Sequence, residues 1–116
     1  MDGDMGGLIK EVKESGTALV VVVAGEVTLD ATPIFHKSLL DAWARGPAHL
    51  IIEMSEVTHI DSAGVGTLVE VCRRVRKAQA KMSLVGMQPL VRSVFEITRL
   101  DSFFPIYEST QEALES

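Results

Sequence analysis

Three things are scarce in this chain of 116 residues, and each scarcity excludes a class of protein. There is one cysteine, Cys72, so no internal disulfide framework can hold the fold, and a reducing compartment suits it. No apolar run reaches the ~18 residues of a membrane-spanning helix. The longest, residues 18–24, has the length of a strand. Positive charge is also short: a net charge of −5 argues against direct binding to nucleic acid, because gripping phosphates needs concentrated cationic charge. Asp2 and Asp4 stand where a signal peptide would carry basic and apolar regions, so a cytoplasmic location is expected.

What is present is ordinary globular composition, with 47% apolar and 23% charged residues and a length suited to one domain with a real core. Residues 1–7 contain three glycines and no periodicity; they are expected to be disordered, with residues 8–116 forming the domain. Ile9 and Val12 among charges read as a strand with one wet face. After the turn residues Glu14, Ser15, Gly16 and Thr17, the β-branched run 19–23 reads as a second strand buried on both faces, ended by Gly25. Residues 31–45 switch to helical spacing through Phe35, Ile34, Leu39, Ala42 and Trp43, with Thr32 or Asp30 as cap and Pro33 in the first turn. A strand over 49–54 leads through a loop to a helix after Ser62, in which Val65, Leu68, Val69, Cys72 and Val75 share a face. A short strand over 82–85 follows, then a helix from Pro89 with Leu90, Val94 and Ile97, and Val91 beside them, pointing inward. A last strand over 104–107 and a short capped helix over 110–114 complete the order ββαβαβαβα. That order predicts a single α/β domain: a mixed sheet of four to five strands with helices packed on it. Parallel strands ending at Gly25, Met54 and Gly86 would share one sheet edge, the edge at which open α/β sheets bind ligands, and would gather Thr28, Asp30, Ser62 and Met87 there.

Asp61-Ser62 is the pair on which function turns. Serine and aspartate are favoured helix caps, so either can be structural. A hydroxyl displayed there can also be a phosphorylation site. A phosphate would add about −1.5 to −2 charges opposite free amides and the positive end of the helix dipole, which the fold tolerates and a partner would feel. Gly64 and Gly66 fit both readings. Other chemistry is unsupported. Ile60 occupies the place of the first glycine of a nucleophile elbow, and no Gly-Lys-Ser/Thr phosphate loop follows. His36, His49 and His59 lack the spacing of a triad or a metal site, so no cofactor is expected. Cys72 lies on an apolar helix face and reads as structural. Arg73, Arg74, Arg76, Lys77 and Lys81 form a basic cluster: a solvated helix face, or a docking surface for an acidic partner.

Three segments carry a family resemblance: Gly25-Glu26-Val27 leading into a helix, Ile60-Asp61-Ser62-Ala63-Gly64-Val65-Gly66, and the tail from Val94 through Phe95 and Leu100-Asp101 to Phe104-Pro105-Ile106-Tyr107. Together, in order, they resemble the STAS domain, in particular the bacterial anti-sigma factor antagonists, over residues 8–115. The resemblance implies a non-enzymatic switch. Ser62 would be phosphorylated by a partner that is both anti-sigma factor and serine protein kinase, the unmodified protein would bind that partner and free the sigma factor, and a serine phosphatase would reset it. Thr28, Asp30, Asp61, Ser62, Ala63, Gly64, Val65 and Gly66 would form the partner surface. The resemblance also allows a scaffold or accessory subunit of a stress-sensing complex or of a lipid or anion transporter. A small-ligand or nucleotide sensor using the shared loop edge is a further class. Three departures from the family pattern stand out. Thr28 occupies an acidic position, Ala63 replaces a frequent second hydroxyl, and Arg99 stands where a glycine usually ends the third helix, which would cost about 1 kcal/mol in a left-handed conformation.

Overall fold

The structure, a computed structural model, describes residues 8–116, so the expectation for residues 1–7 lies outside the described residues. The elements are β1 (Ile9–Ser15), β2 (Ala18–Val27), a 3-10 turn (Leu29–Ala31), α1 (Thr32–Trp43), β3 (His49–Ile60), α2 (Ser62–Lys77), β4 (Lys81–Val85), α3 (Pro89–Ile97), β5 (Ile106–Tyr107) and α4 (Thr110–Leu114). The expected element order holds throughout.

The five strands lie in the sheet in chain order. β1 pairs antiparallel with β2, and every later neighbour pairs parallel. Each parallel crossover steps to the next strand in the same direction, so right-handed connections place their helices on one face. On that face Leu19, Val21, Val23, Leu50, Ile52, Met54, Met82 and Leu84 of the strands pack against Phe35 and Leu39 of α1, Leu68, Val71, Cys72 and Val75 of α2, and Val91 and Phe95 of α3. The opposite face is narrower: Val20, Val22, Ile51 and Val85 pack with Ala113 of the five-residue α4. β2 is therefore buried on both faces, as its β-branched run implies. Burial also pushes the Cys72 thiol above its ordinary pKa, as a structural cysteine requires.

Four local expectations are corrected. β3 does not stop at Met54; residues 55–60 continue it, pairing with Ala24, Gly25, Glu26 and Val27 across two irregularities. Its polar sequence there suits an extension with one exposed face. β2 accordingly runs past Gly25, which adopts φ +97 at the irregularity instead of ending the strand. α1 has no side-chain cap: Ala31 is its N-cap, and Thr32 Oγ1 instead donates to the Leu29 carbonyl at 2.9 Å. On α3 the buried residues are Val91 and Phe95, with Val94 packed half-buried against the core as expected, while Leu90 and Ile97 are 74% and 80% exposed. Phe95 sets that rotation by packing edge-to-face against Phe104, with ring centroids 5.7 Å apart.

Arg99 does adopt the left-handed conformation, φ 64. Its amide bonds the Glu96 carbonyl and the Leu100 amide bonds the Phe95 carbonyl, the paired bonds of a Schellman helix end. α2 ends in the same way on Gln79, φ 63, a second non-glycine in that position.

Candidate functional site

The extension of β3 carries the Asp61-Ser62 junction out along β2 to the start of the 3-10 turn. Asp61 is the N-cap of α2, with extended backbone, and its two carboxylate oxygens serve different segments. Oδ1 accepts from the Gly64 amide at 3.0 Å, closing the first turn of the helix. Oδ2 accepts from the Leu29 amide at 2.9 Å, tying the loop after β2 to the helix start. The Asp61 amide donates to the Val27 carbonyl at 3.3 Å. One aspartate thus fixes the relative position of both segments through charge-assisted bonds.

Because Asp61 does the capping, Ser62 does not. It is the first residue of α2, exposed, and its hydroxyl has no hydrogen-bond partner among the described residues. Gly64 explains how close the segments come. A Cβ there would lie 2.4 Å from the Val27 carbonyl oxygen and 2.8 Å from Ile60 Cγ1, so only glycine fits. Gly66 is the opposite case: a Cβ there would meet nothing within 4 Å. With Ala63, Thr67 and Glu70 of α2 and Thr32, Pro33 and His36 of α1, it lines an open groove of about 340 Å3 beside Ser62. At the far end of the groove the Glu70 carboxylate meets His36 Nε2 and accepts from Arg74 Nε at 2.9 Å. The Arg74 bond foremost holds Glu70 below the usual carboxylate range, and His36 adds to it.

Thr28, Asp30, Asp61 and Ser62 are therefore brought together, and Ala63 and Gly66 continue the same surface along α2. Gly64 and Val65 are buried, so they shape the site from beneath and present no side chain to a partner. Met87 is not brought there. It follows β4, whose pairing with β3 stops at Glu53, and β3 runs on to Ile60 before Asp61. The residue missed in the sequence is Leu29. It is 67% exposed on the 3-10 turn, and its amide is held by Asp61. Its signal was an apolar residue between Thr28 and Asp30 in a segment that must be a loop.

The charge around the junction is negative. Asp30 and Asp61 belong to it, and Glu26 lies across the β2–β3 ribbon with Oε2 3.6 Å from His59 Nδ1. Neither Ser62 nor Asp61 is paired with a lysine or arginine among the described residues. Those residues also contain no cluster of histidine, cysteine and carboxylate groups that could hold a metal ion, and no helix long and apolar enough to cross a membrane.

A mixed five-stranded sheet with three helices on one face, one short helix on the other and an aspartate-capped serine at a strand-to-helix junction defines a small α/β domain with a displayed hydroxyl. Residues 10–113 match the model of the STAS domain family, and the chain belongs to that family. It is 30% identical over 97 residues to an anti-sigma-B factor antagonist of Listeria monocytogenes, covering 83% of this chain and 85% of that protein. Alignments with curated relatives span from 60% to 95% of their length. The crystal structure of an anti-sigma factor antagonist from Mycobacterium paratuberculosis superposes with a TM-score of 0.83 at 27% identity, covering 90% of this chain and 89% of that one. The phosphorylated form of SpoIIAA from Bacillus shares the fold, with a TM-score of 0.68 at 20% identity over 90% of this chain and 96% of that one.

Proposed function

We propose that this protein is an anti-sigma factor antagonist switched at Ser62. In its unmodified form it binds a partner that acts as both anti-sigma factor and serine kinase, releasing the sigma factor. Phosphorylation of Ser62 turns that binding off, and a separate phosphatase restores it. The domain contributes surface and a phosphoacceptor, and the chemistry belongs to its partners. Relatives that are themselves anti-sigma factor antagonists support the reading.

The observation that carries it is the division of labour at the helix start: Asp61 supplies the cap, leaving the Ser62 hydroxyl exposed and unbonded. A phosphate on the first residue of α2 sits at the positive end of the helix dipole, so the domain keeps its structure. Among the described residues no base pairs with Ser62 or Asp61 to neutralise it, and about −1.5 to −2 charges join Asp30 and Asp61 on a surface that is already acidic. A partner fitted to Leu29, Thr28, Ala63 and Gly66 would meet bulk and repulsion at the centre of its contact.

Incubation with the cognate kinase and ATP, followed by mass spectrometry, is expected to place one phosphate on Ser62 and none on the Ser62→Ala variant. Ser62→Ala should retain partner binding, and Ser62→Asp should weaken it at least about tenfold, the equivalent of 1.4 kcal/mol. An unmodified Ser62, together with partner binding unaffected by both substitutions, would sink the switch.

A further inference from the structure

α1 and α2 both leave the sheet edge that carries Ser62, so their C-terminal ends lie together at the opposite end of the domain. There Trp43, the last residue of α1 and the chain's single tryptophan, is half-buried beside Arg73, Arg74 and Lys77 of α2. With Ala78 these side chains line a surface depression of about 620 Å3.

A helix C-terminus attracts bases, and that alone accounts for positive charge in the last turn of α2. It does not account for the arrangement. Five of the eleven bases of this chain are paired with carboxylates: Lys10 with Glu56, Lys37 with Asp41, Arg45 with Glu14, Arg92 with Glu96 and Arg74 with Glu70. Arg76 is turned away, its guanidinium 4.2 Å from the centre of the Phe103 ring. Arg73 and Lys77, one helical turn apart, have no carboxylate partner among the described residues and repel each other. Lys13, Lys81 and Arg99 also have no carboxylate partner among the described residues, but none of them lines this depression, where two such bases adjoin an aromatic ring. In a chain of net charge −5, this is a local concentration of positive charge with an apolar floor.

We propose that this end of α1 and α2 is a second docking surface, which takes an acidic segment of a partner protein. Carboxylates of the segment face Arg73 and Lys77, and an apolar side chain of the segment rests on Trp43. Arginine and tryptophan are the residues that most often dominate such contacts. Arg73 and Lys77 stand eleven and fifteen residues beyond Ser62 on α2, about 16 and 22 Å along the helix at ~1.5 Å per residue. That is roughly two to three times the screening length of ~8 Å in physiological salt, so charge at Ser62 is largely screened from docking here. A partner anchored at this end would hold the phosphorylated and unphosphorylated forms alike, leaving Ser62 to decide only the second contact. The proposal stands apart from the identity of the kinase.

The single tryptophan makes the test direct. The full chain is titrated with a short glutamate-rich peptide carrying one leucine and no aromatic residue, and Trp43 fluorescence is followed. A saturable change is expected that weakens as salt is raised. It should weaken roughly tenfold or more in the Arg73→Ala/Lys77→Ala double variant, and stay unchanged in Ser62→Glu. Circular dichroism of the double variant checks that it is folded, and both substituted side chains are exposed. A reversed preference for a lysine-rich peptide in Arg73→Glu/Lys77→Glu would support the proposal further. It is overturned if Trp43 does not respond, if the double variant binds as well as the parent, or if single-stranded RNA or phosphatidylserine vesicles bind more tightly than the peptide.

Discussion

Gly64 and Gly66 stand two residues apart in one motif and do opposite things. Both lower helix propensity, and the sequence alone assigns either of them to packing or to a partner. Their surroundings separate them: a methyl group at Gly64 would strike the Val27 carbonyl and Ile60, and one at Gly66 would meet nothing within 4 Å. Gly64→Ala is expected to cost about 1–3 kcal/mol through overpacking, because the obstructing atoms are backbone and core. Gly66→Ala is expected to stabilise the isolated domain by about 1 kcal/mol, the ordinary gain of replacing glycine within a helix. Thermal denaturation checks both signs. If the groove beside Ser62 receives the partner, Gly66→Ala should nevertheless weaken partner binding, and titration calorimetry on the same sample would reveal a gain in stability joined to a loss in affinity. The same limit on reading a sequence applies to Asp61 and Ser62. Both are good caps, and only the hydrogen bonds to Gly64 and Leu29 assign the cap to Asp61 and release Ser62.

At the level of elements, order and type are legible because the period of apolar residues changes cleanly from strand to helix. Rotation and length are not. In α3 the residues Leu90, Val91, Val94, Phe95 and Ile97 offer two overlapping apolar stripes, and the contact of Phe95 with Phe104, nine residues on, selects between them. Beyond Met54 β3 loses its apolar run, and its continuation depends on a partner strand whose paired residues lie 32 to 33 positions earlier. Helix ends are marked unevenly. The left-handed Arg99 was legible through the family resemblance, which has a glycine there, whereas nothing marked Gln79, which ends α2 with the same two Schellman bonds. Arg99→Gly and Gln79→Gly are each expected to raise stability by about 1 kcal/mol, and additively, since they end different helices. Chemical denaturation of the two single variants and the double variant tests this.

Within the molecule as a whole, a part-buried polar pair joins β3 to β4 on the face of the sheet that carries α4. His49, at the start of β3, has Nε2 2.7 Å from the Oγ of the fully buried Ser83 in β4. Burial foremost, and then the charge of Lys81, lowers the His49 pKa. The native state therefore binds fewer protons than the unfolded chain at pH values below the ordinary histidine value of about 6.5. The stability tied to neutral His49 is complete above that pH and is lost as the pH falls through it. Melting temperature should decline between about pH 7 and pH 5, and His49→Gln should flatten that decline. An equal slope in the variant would place the titration elsewhere. The strand order has a different consequence, one of sequence in time. Because strands join the sheet in the order in which they occur in the chain, each emerging segment finds its neighbour already in place during synthesis. The Asp61-Ser62 junction, its tie to Leu29 and the whole of α2 are built from residues 27–77. The proposed partner site can thus be assembled on a nascent chain before β5 and α4 have been made.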